Sequence, residues 1–93
     1  MIKSFKCKET EKIYNRTFSK KLPQEIQRAG YKKLLMLDAA FEINDLKVPP
    51  SNYLEKLSGD RDGMYSIRVN KQYRICFAFD GVNAEQVEII DYH

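Results

Sequence analysis

Apolar residues along this chain change period near residue 52, from the helical spacing of three and four to the strand spacing of two. Ile26, Gly30, Leu34, Leu37 and Phe41 recur at intervals of four, four, three and four, with Lys32, Lys33 and Asp38 off the stripe. This pattern predicts an amphipathic helix of about four turns. Leu22-Pro23 marks its start, because proline is tolerated in a first helical turn. Gly30 lowers helix propensity but lets another element approach closely. Upstream, residues 9–18 suit a shorter helix with Ile13, Tyr14 and Phe18 as candidate buried positions, and residues 2–6 suit a short strand carrying Ile2 and Phe5.

Residues 44–52 contain Pro49-Pro50 and read as a loop. A strand is expected over 53–57 and a turn over 58–63. Tyr65, Ile67 and Val69 then alternate with Ser66 and Arg68, and Tyr73, Ile75, Phe77 and Phe79 alternate with Arg74, Cys76 and Ala78. Asp80-Gly81 is a turn signal, and 84–90 form a last strand with Val87 and Ile89 in phase. The expected architecture is α+β: a short N-terminal strand and two helices packed on an antiparallel meander sheet. A chain of 93 residues fits one domain, taken as residues 1–93.

Placing Ile67 opposite Ile75 and Val69 opposite Tyr73 aligns the apolar faces and sets Arg68 opposite Arg74. Like charges facing one another across strands are unfavourable. Either an anion sits between them, a carboxylate or a phosphate, or both side chains splay into water. By the same parity the last strand contributes Tyr92 to the Arg74 face, but not Asp91 or His93. For His93 to reach Arg74, that strand must bend or bulge at its end.

Composition narrows the function classes. No apolar run approaches the roughly 20 residues of a membrane helix, and the start, Met1-Ile-Lys-Ser-Phe-Lys6, lacks the apolar stretch of a signal peptide. A cytoplasmic protein without membrane contact is expected. Cys7 and Cys76 form no CxxC pair and read as thiols rather than a disulfide. A single histidine makes a zinc site improbable, and neither a metal nor a cofactor is expected. The net charge of +3 hides an asymmetry: residues 1–33 hold ten basic and three acidic side chains, the remainder six basic and ten acidic. A basic N-terminal third suits a polyanion such as RNA; it equally suits a solvated face of spaced lysines.

The chain ends Asp91-Tyr92-His93. Cleavage of RNA by its own 2′-hydroxyl needs a base for that proton, an acid for the leaving 5′-oxygen, and cations for the charged phosphorane. His93, Arg74 and Arg68 carry groups of those kinds. A frayed terminal histidine, and an Asp-Tyr pair that closes a strand, account for the same residues.

The stretch Leu54-Glu-Lys-Leu-Ser-Gly-Asp-Arg-Asp-Gly-Met-Tyr-Ser-Ile-Arg-Val69 resembles the central signature of HigB-type toxins of the RelE/ParE superfamily, the plasmid maintenance killer proteins. Tyr73-Arg-Ile-Cys-Phe-Ala-Phe79 is similar to the strand that follows in that family, and both the Asp91-Tyr92-His93 ending and the opening match it. The resemblance spans the whole chain. It implies a RelE-like fold and a toxin of a type II toxin–antitoxin system that cuts messenger RNA on the ribosome without a metal. It implies a helix-turn-helix antitoxin as partner, with operator DNA reached only through that antitoxin. It assigns Arg74 to the phosphate, His93 to proton transfer, Tyr92 to orienting or stacking on a base, and Asp91 to the same centre; Arg68, by its register opposite Arg74, and Glu55 are further candidates beside that assignment. Lys3, Lys6, Lys8, Lys12, Arg16, Lys20 and Lys21 would grip ribosomal RNA.

Departures from the family pattern fall within the same two motifs. Glu55 stands where the family usually has His, and Ser58 where it usually has Lys; Tyr65 and Tyr73 replace family tryptophans. They remove a proton-transfer group and a cation, and Glu55 would repel a phosphate. Glu55 is either a general base or a solvent-facing strand residue. A toxin of the same fold without nuclease activity, such as a ParE-like gyrase inhibitor, and a module that mainly binds an antitoxin remain the alternatives.

Overall fold

A computed structural model describes residues 1–59 and 63–91. Helix α1 spans Lys8–Tyr14 and α2 spans Gln24–Ala39. Two short 3-10 helices, Ile43–Lys47 and Pro50–Asn52, occupy the stretch read as a loop. Strands β1 (Glu55–Lys56), β2 (Met64–Arg68), β3 (Tyr73–Phe79) and β4 (Ala84–Asp91) form an antiparallel sheet in the order β1-β2-β3-β4. The α+β architecture is as the periodicity implied. The N-terminal strand is reduced to two parallel bridges on the outer edge of β4, Ile2 to Ala84 and Phe5 to Val87.

The core lies between the helices and one face of the sheet. Ile26, Leu34 and Leu37 of α2 and Ile67, Ile75, Phe77 and Val87 of the sheet are fully buried, each contributing about 1.5–3 kcal/mol by leaving water. Gly30 belongs to this interface: a Cβ built there would lie 3.2 Å from Ile89 Cδ1. The helix stripe closes one position earlier than its periodicity suggested. α2 stops at Ala39, Ala40 turns extended and is buried, and Phe41 is left 88% exposed.

Helix α1 is also shorter than expected. Its acidic first turn and Lys12 in the last turn suit the helix dipole, but the chain turns left-handed at Arg16, with φ of 61°. Thr17 N–H bonds the Lys12 carbonyl at 2.7 Å and Arg16 N–H bonds the Ile13 carbonyl at 3.0 Å, the pattern of a Schellman motif. Arginine rather than glycine holds the left-handed position, so no glycine marks the stop. Phe18 therefore lies beyond the helix and is 61% exposed instead of buried. The fully buried Thr10 ties α1 to the sheet: its hydroxyl accepts the Ile89 N–H at 2.8 Å.

The β2–β3 register is the one deduced above, with Ile67 opposite Ile75 and Arg68 opposite Arg74. In β4, however, Cys76 pairs with Glu88 and Ala78 with Glu85, so Gln86 and Val87 together oppose one residue. Gln86 has φ of 54°. This β-bulge lets Ala84 and Val87, three apart, both face the core.

Candidate nucleic-acid site on the helix-free face of the sheet

With Ile67, Ile75 and Ile89 facing the helices, strand alternation sends Glu55, Ser66, Arg68, Arg74, Cys76, Glu88 and Ile90 to the other face. Arg74 is the centre of this face and only 8% exposed. Its Nε donates to Ser66 Oγ at 2.9 Å, and its Nη2 donates to the Tyr53 carbonyl. The same Nη2 lies 3.7 Å from Glu55 Oε2, a carboxylate whose side chain is 52% exposed. A guanidinium is a rigid fork of donors, and here its direction is set by partners on β2 and on the chain preceding β1.

Arg68 takes a different course. Its Nε donates to the Asn70 carbonyl at 3.0 Å, and its Cζ lies 5.2 Å from the centre of the Tyr53 ring, within cation–π range. Tyr53 thus serves both arginines, Arg74 through its carbonyl and Arg68 through its ring.

Tyr53 has φ of 43°, a left-handed conformation that is uncommon for a bulky residue. Neighbouring contacts hold it. Its N–H donates to the Pro50 carbonyl at 3.0 Å. The preceding Asn52 is fully buried, donates to the Leu46 carbonyl at 3.1 Å, and accepts from the Lys33 ammonium. Burial pushes the Lys33 pKa down.

Among the remaining site candidates, Asp91 pairs with Tyr73, which places it by parity on the helix side, and its carboxylate accepts from Gln72 at 3.0 Å. The Arg74 face is continued on β4 by Ile90. The pairing runs regularly to Asp91, and the irregularity in β4 lies at Gln86 and Val87, not near its end. Tyr92 and His93 lie outside the described residues. Ser58 is exposed, just after β1. Lys3, Lys6, Lys8, Lys12, Arg16, Lys20 and Lys21 are all exposed. They follow the outer edge of β4, then α1 and the chain between α1 and α2, whereas Glu55 sits on the opposite edge strand. Lys6 pairs with Glu88 at 3.7 Å and Lys12 with Glu9 at 3.3 Å, while Arg16 Cζ lies 5.3 Å from the Tyr31 ring centre. A cleft of about 310 Å³ between Ile13, Phe18 and Tyr31, rimmed by Arg16 and Arg28, is a separate feature between the helices.

Cys76 is buried and Cys7 half-buried, with no disulfide between them. Among the described residues no three His, Cys, Asp or Glu side chains group to hold a metal ion. No described helix is long and apolar enough to cross a membrane. Reading the sequence missed two contributors to this face. Ser66 was legible, since it alternates in phase with Arg68. Tyr53 was not, because its place depends on a left-handed turn that no glycine or asparagine announces.

A family model for the RelE-like toxin HigB of type II toxin–antitoxin systems matches residues 3–93. Toxin HigB-1 of Vibrio cholerae is 45% identical over 84 residues, covering 88% of each chain. Endoribonuclease HigB of Proteus vulgaris is 35% identical over 94 residues, covering 100% of each. The fold is similar to that in the YoeB-YefM complex from Staphylococcus aureus, with a TM-score of 0.57 and 17% identity over 100% of this chain and 98% of that one. Family signature and relatives agree over nearly the full length: the chain belongs to the HigB family of RelE-like toxins of type II toxin–antitoxin systems.

Proposed function

We propose that this toxin is a ribosome-dependent endoribonuclease that cuts messenger RNA without a metal. The observation that carries the reading is Arg74, a nearly buried cation aimed by Ser66 and Tyr53 on the helix-free face. A pre-aimed guanidinium needs no reorganisation to stabilise charge that develops on a phosphate. The name of the Proteus vulgaris relative, an endoribonuclease, supports the same chemistry.

In the proposed reaction the 2′-oxygen bonds to phosphorus as the bond to the 5′-oxygen breaks, leaving a 2′,3′-cyclic phosphate and a 5′-hydroxyl end. His93 moves the protons and Tyr92 orients or stacks on a base, while Asp91, which leaves β4 on the face opposite Arg74 and accepts from Gln72, acts as a positioning residue at the strand end that carries them. Arg74 holds the phosphate, with Arg68 as a second cation. Glu55 occupies an anion position beside Arg74 at 3.7 Å; the incoming phosphate displaces it. The basic residues from Lys3 to Lys21 supply sequence-independent attraction to ribosomal RNA. A helix-turn-helix antitoxin neutralises the toxin and carries it to operator DNA, in the cytoplasm. The type II description of the family, and a fold neighbour that is itself a YoeB-YefM complex, support a protein partner.

The Glu55–Arg74 pair also favours a second reading, a same-fold toxin with little or no nuclease activity. Expression in bacteria lacking the antitoxin separates the two, with growth followed and messenger 5′ ends mapped alongside Arg74→Ala and His93→Ala. Growth arrest with new cuts inside translated messages, absent in both variants, supports the nuclease. Arrest without such cuts moves the assignment to another target, such as gyrase. No arrest leaves antitoxin binding as the main role.

A further inference from the structure

We infer that Tyr53 is a stacking platform for one base of the RNA strand whose phosphate Arg74 engages, an inference that rests on the nuclease reading above. Tyr53 is a large aromatic residue left 58% exposed, yet it is not a loose surface side chain. Its backbone is held left-handed by the Pro50 carbonyl, by the buried Asn52 that precedes it, and by Arg74 on its own carbonyl. Its ring lies against the Arg68 guanidinium, 5.2 Å from Cζ to the ring centre. A core role would bury the ring. A purely backbone role, accepting from Arg74, would be met by any residue and most cheaply by glycine. What the observed residue adds is an open π-surface backed by a cation, fixed next to a phosphate-binding group.

Nucleobases are recognised in single-stranded RNA by such surfaces, on aromatic rings and arginine planes. Stacking is tolerant of base identity, so Tyr53 sets the position of the cut relative to the strand more than its sequence. The link through one residue also fixes spacing: the atom that orients Arg74 and the ring that meets the base belong to the same side chain and backbone unit, so base and phosphate are seated together.

The test uses bacterial ribosomes programmed with a message whose A-site codon is 2′-O-methylated, so that no cut occurs, and carries 2-aminopurine at one position at a time. Stacking quenches the fluorescence of that base. Wild type and Tyr53→Phe quench at one position of the codon. Tyr53→Leu, which keeps bulk, and Tyr53→Ala lose that quench and bind roughly tenfold or more weakly, the loss expected for one stacked base. Quenching unchanged in both variants, no quench by wild type at any position, or loss of the folded melting transition in either variant makes Tyr53 a structural spacer and overturns the inference. Cleavage of the unmethylated message by wild type is read separately. Its absence sinks the nuclease reading itself, whereas its presence with an unchanged quench in Tyr53→Leu sinks only the stacking.

Discussion

Arg68 and Arg74 are directly paired across β2 and β3, yet their guanidinium groups take different Nε partners, the Asn70 carbonyl for Arg68 and Ser66 Oγ for Arg74, while Tyr53 meets both. Neither expected relief is met in full, since Arg74 stays nearly buried instead of splaying into water. A carboxylate, Glu55, approaches Arg74 alone, and Arg68 leans on the Tyr53 ring. The strands keep a register that buries Ile67 and Ile75, and the arginines accommodate it. Burial of the two isoleucines outweighs a repulsion that side-chain rotation can reduce.

Replacing Arg74 by lysine tests whether geometry or charge matters at this position. Lysine keeps the charge but cannot reproduce the planar fork that reaches Ser66 Oγ and the Tyr53 carbonyl together. Cleavage of messages on ribosomes is expected to fall about 100-fold or more, the scale of losing one pre-aimed donor to a charged transition state. Near wild-type cleavage by Arg74→Lys would mean that a point charge suffices.

Glu55→Gln separates a counter-ion from a general base. Half-exposed ion pairs contribute about 0.2–1 kcal/mol, so removing this competitor should raise kcat/KM by about 1.5- to 5-fold, mostly through KM. Stability should drop by no more than about 1 kcal/mol. A loss of activity by orders of magnitude, with KM unchanged, would instead assign Glu55 to proton transfer.

Thr10→Val removes the hydroxyl that accepts the Ile89 N–H while keeping the shape of the side chain. The buried N–H is left unpaired, at a cost of about 1–3 kcal/mol. Each kcal/mol lowers the melting temperature by about 4–8 °C in a domain of this size. Thr10→Ser should retain most of the stability. Equal melting temperatures for Thr10→Val and wild type would show that the contact is dispensable.

Acid stability should depend on Ser19. The Ser19 hydroxyl, 2.5 Å from Glu9 Oε1, holds the Glu9 carboxyl below its ordinary value, with Lys12 acting in the same direction. A carboxylate depressed in the folded state stabilises it above the unfolded pKa, and that contribution disappears as pH falls through the folded value. Ser19→Ala is therefore less stable than wild type at neutral pH, and the gap narrows in the acid range. Thermal melts of both proteins from pH 7 downward check this; a constant gap would rule out Glu9 as its source.

The described part of the candidate site was only partly legible before the fold. Arg74, Arg68 and Ser66 could be placed on one face because a strand alternates strictly and the apolar residues choose the register. Glu55 joined them at Ser66, as its pairing on β1 requires. The bulge at Gln86 and Val87 left a trace, since Ala84 and Val87 cannot both face inward with a period of two. The left-handed turns at Arg16 and Tyr53 left none, because local contacts hold them against the residue's own preference. Phe18 and Phe41 were misjudged because their spacing continues helices that end early, at the left-handed Arg16 after α1 and where Ala40 turns extended after α2.

What the sequence determined by itself is the α+β order of elements, the β2–β3 register and the family, because periodicity and motif are properties of residue order. The tertiary structure alone decided which groups from the chain before β2 meet Arg74. Glu55 and the Tyr53 carbonyl, two residues apart on one segment, join Ser66 of β2 at this guanidinium, and their convergence depends on how β1 and the 3-10 turn before it fold back across the sheet. Residue spacing sets which face a side chain leaves from; only packing sets the direction in which a long, flexible guanidinium is finally held.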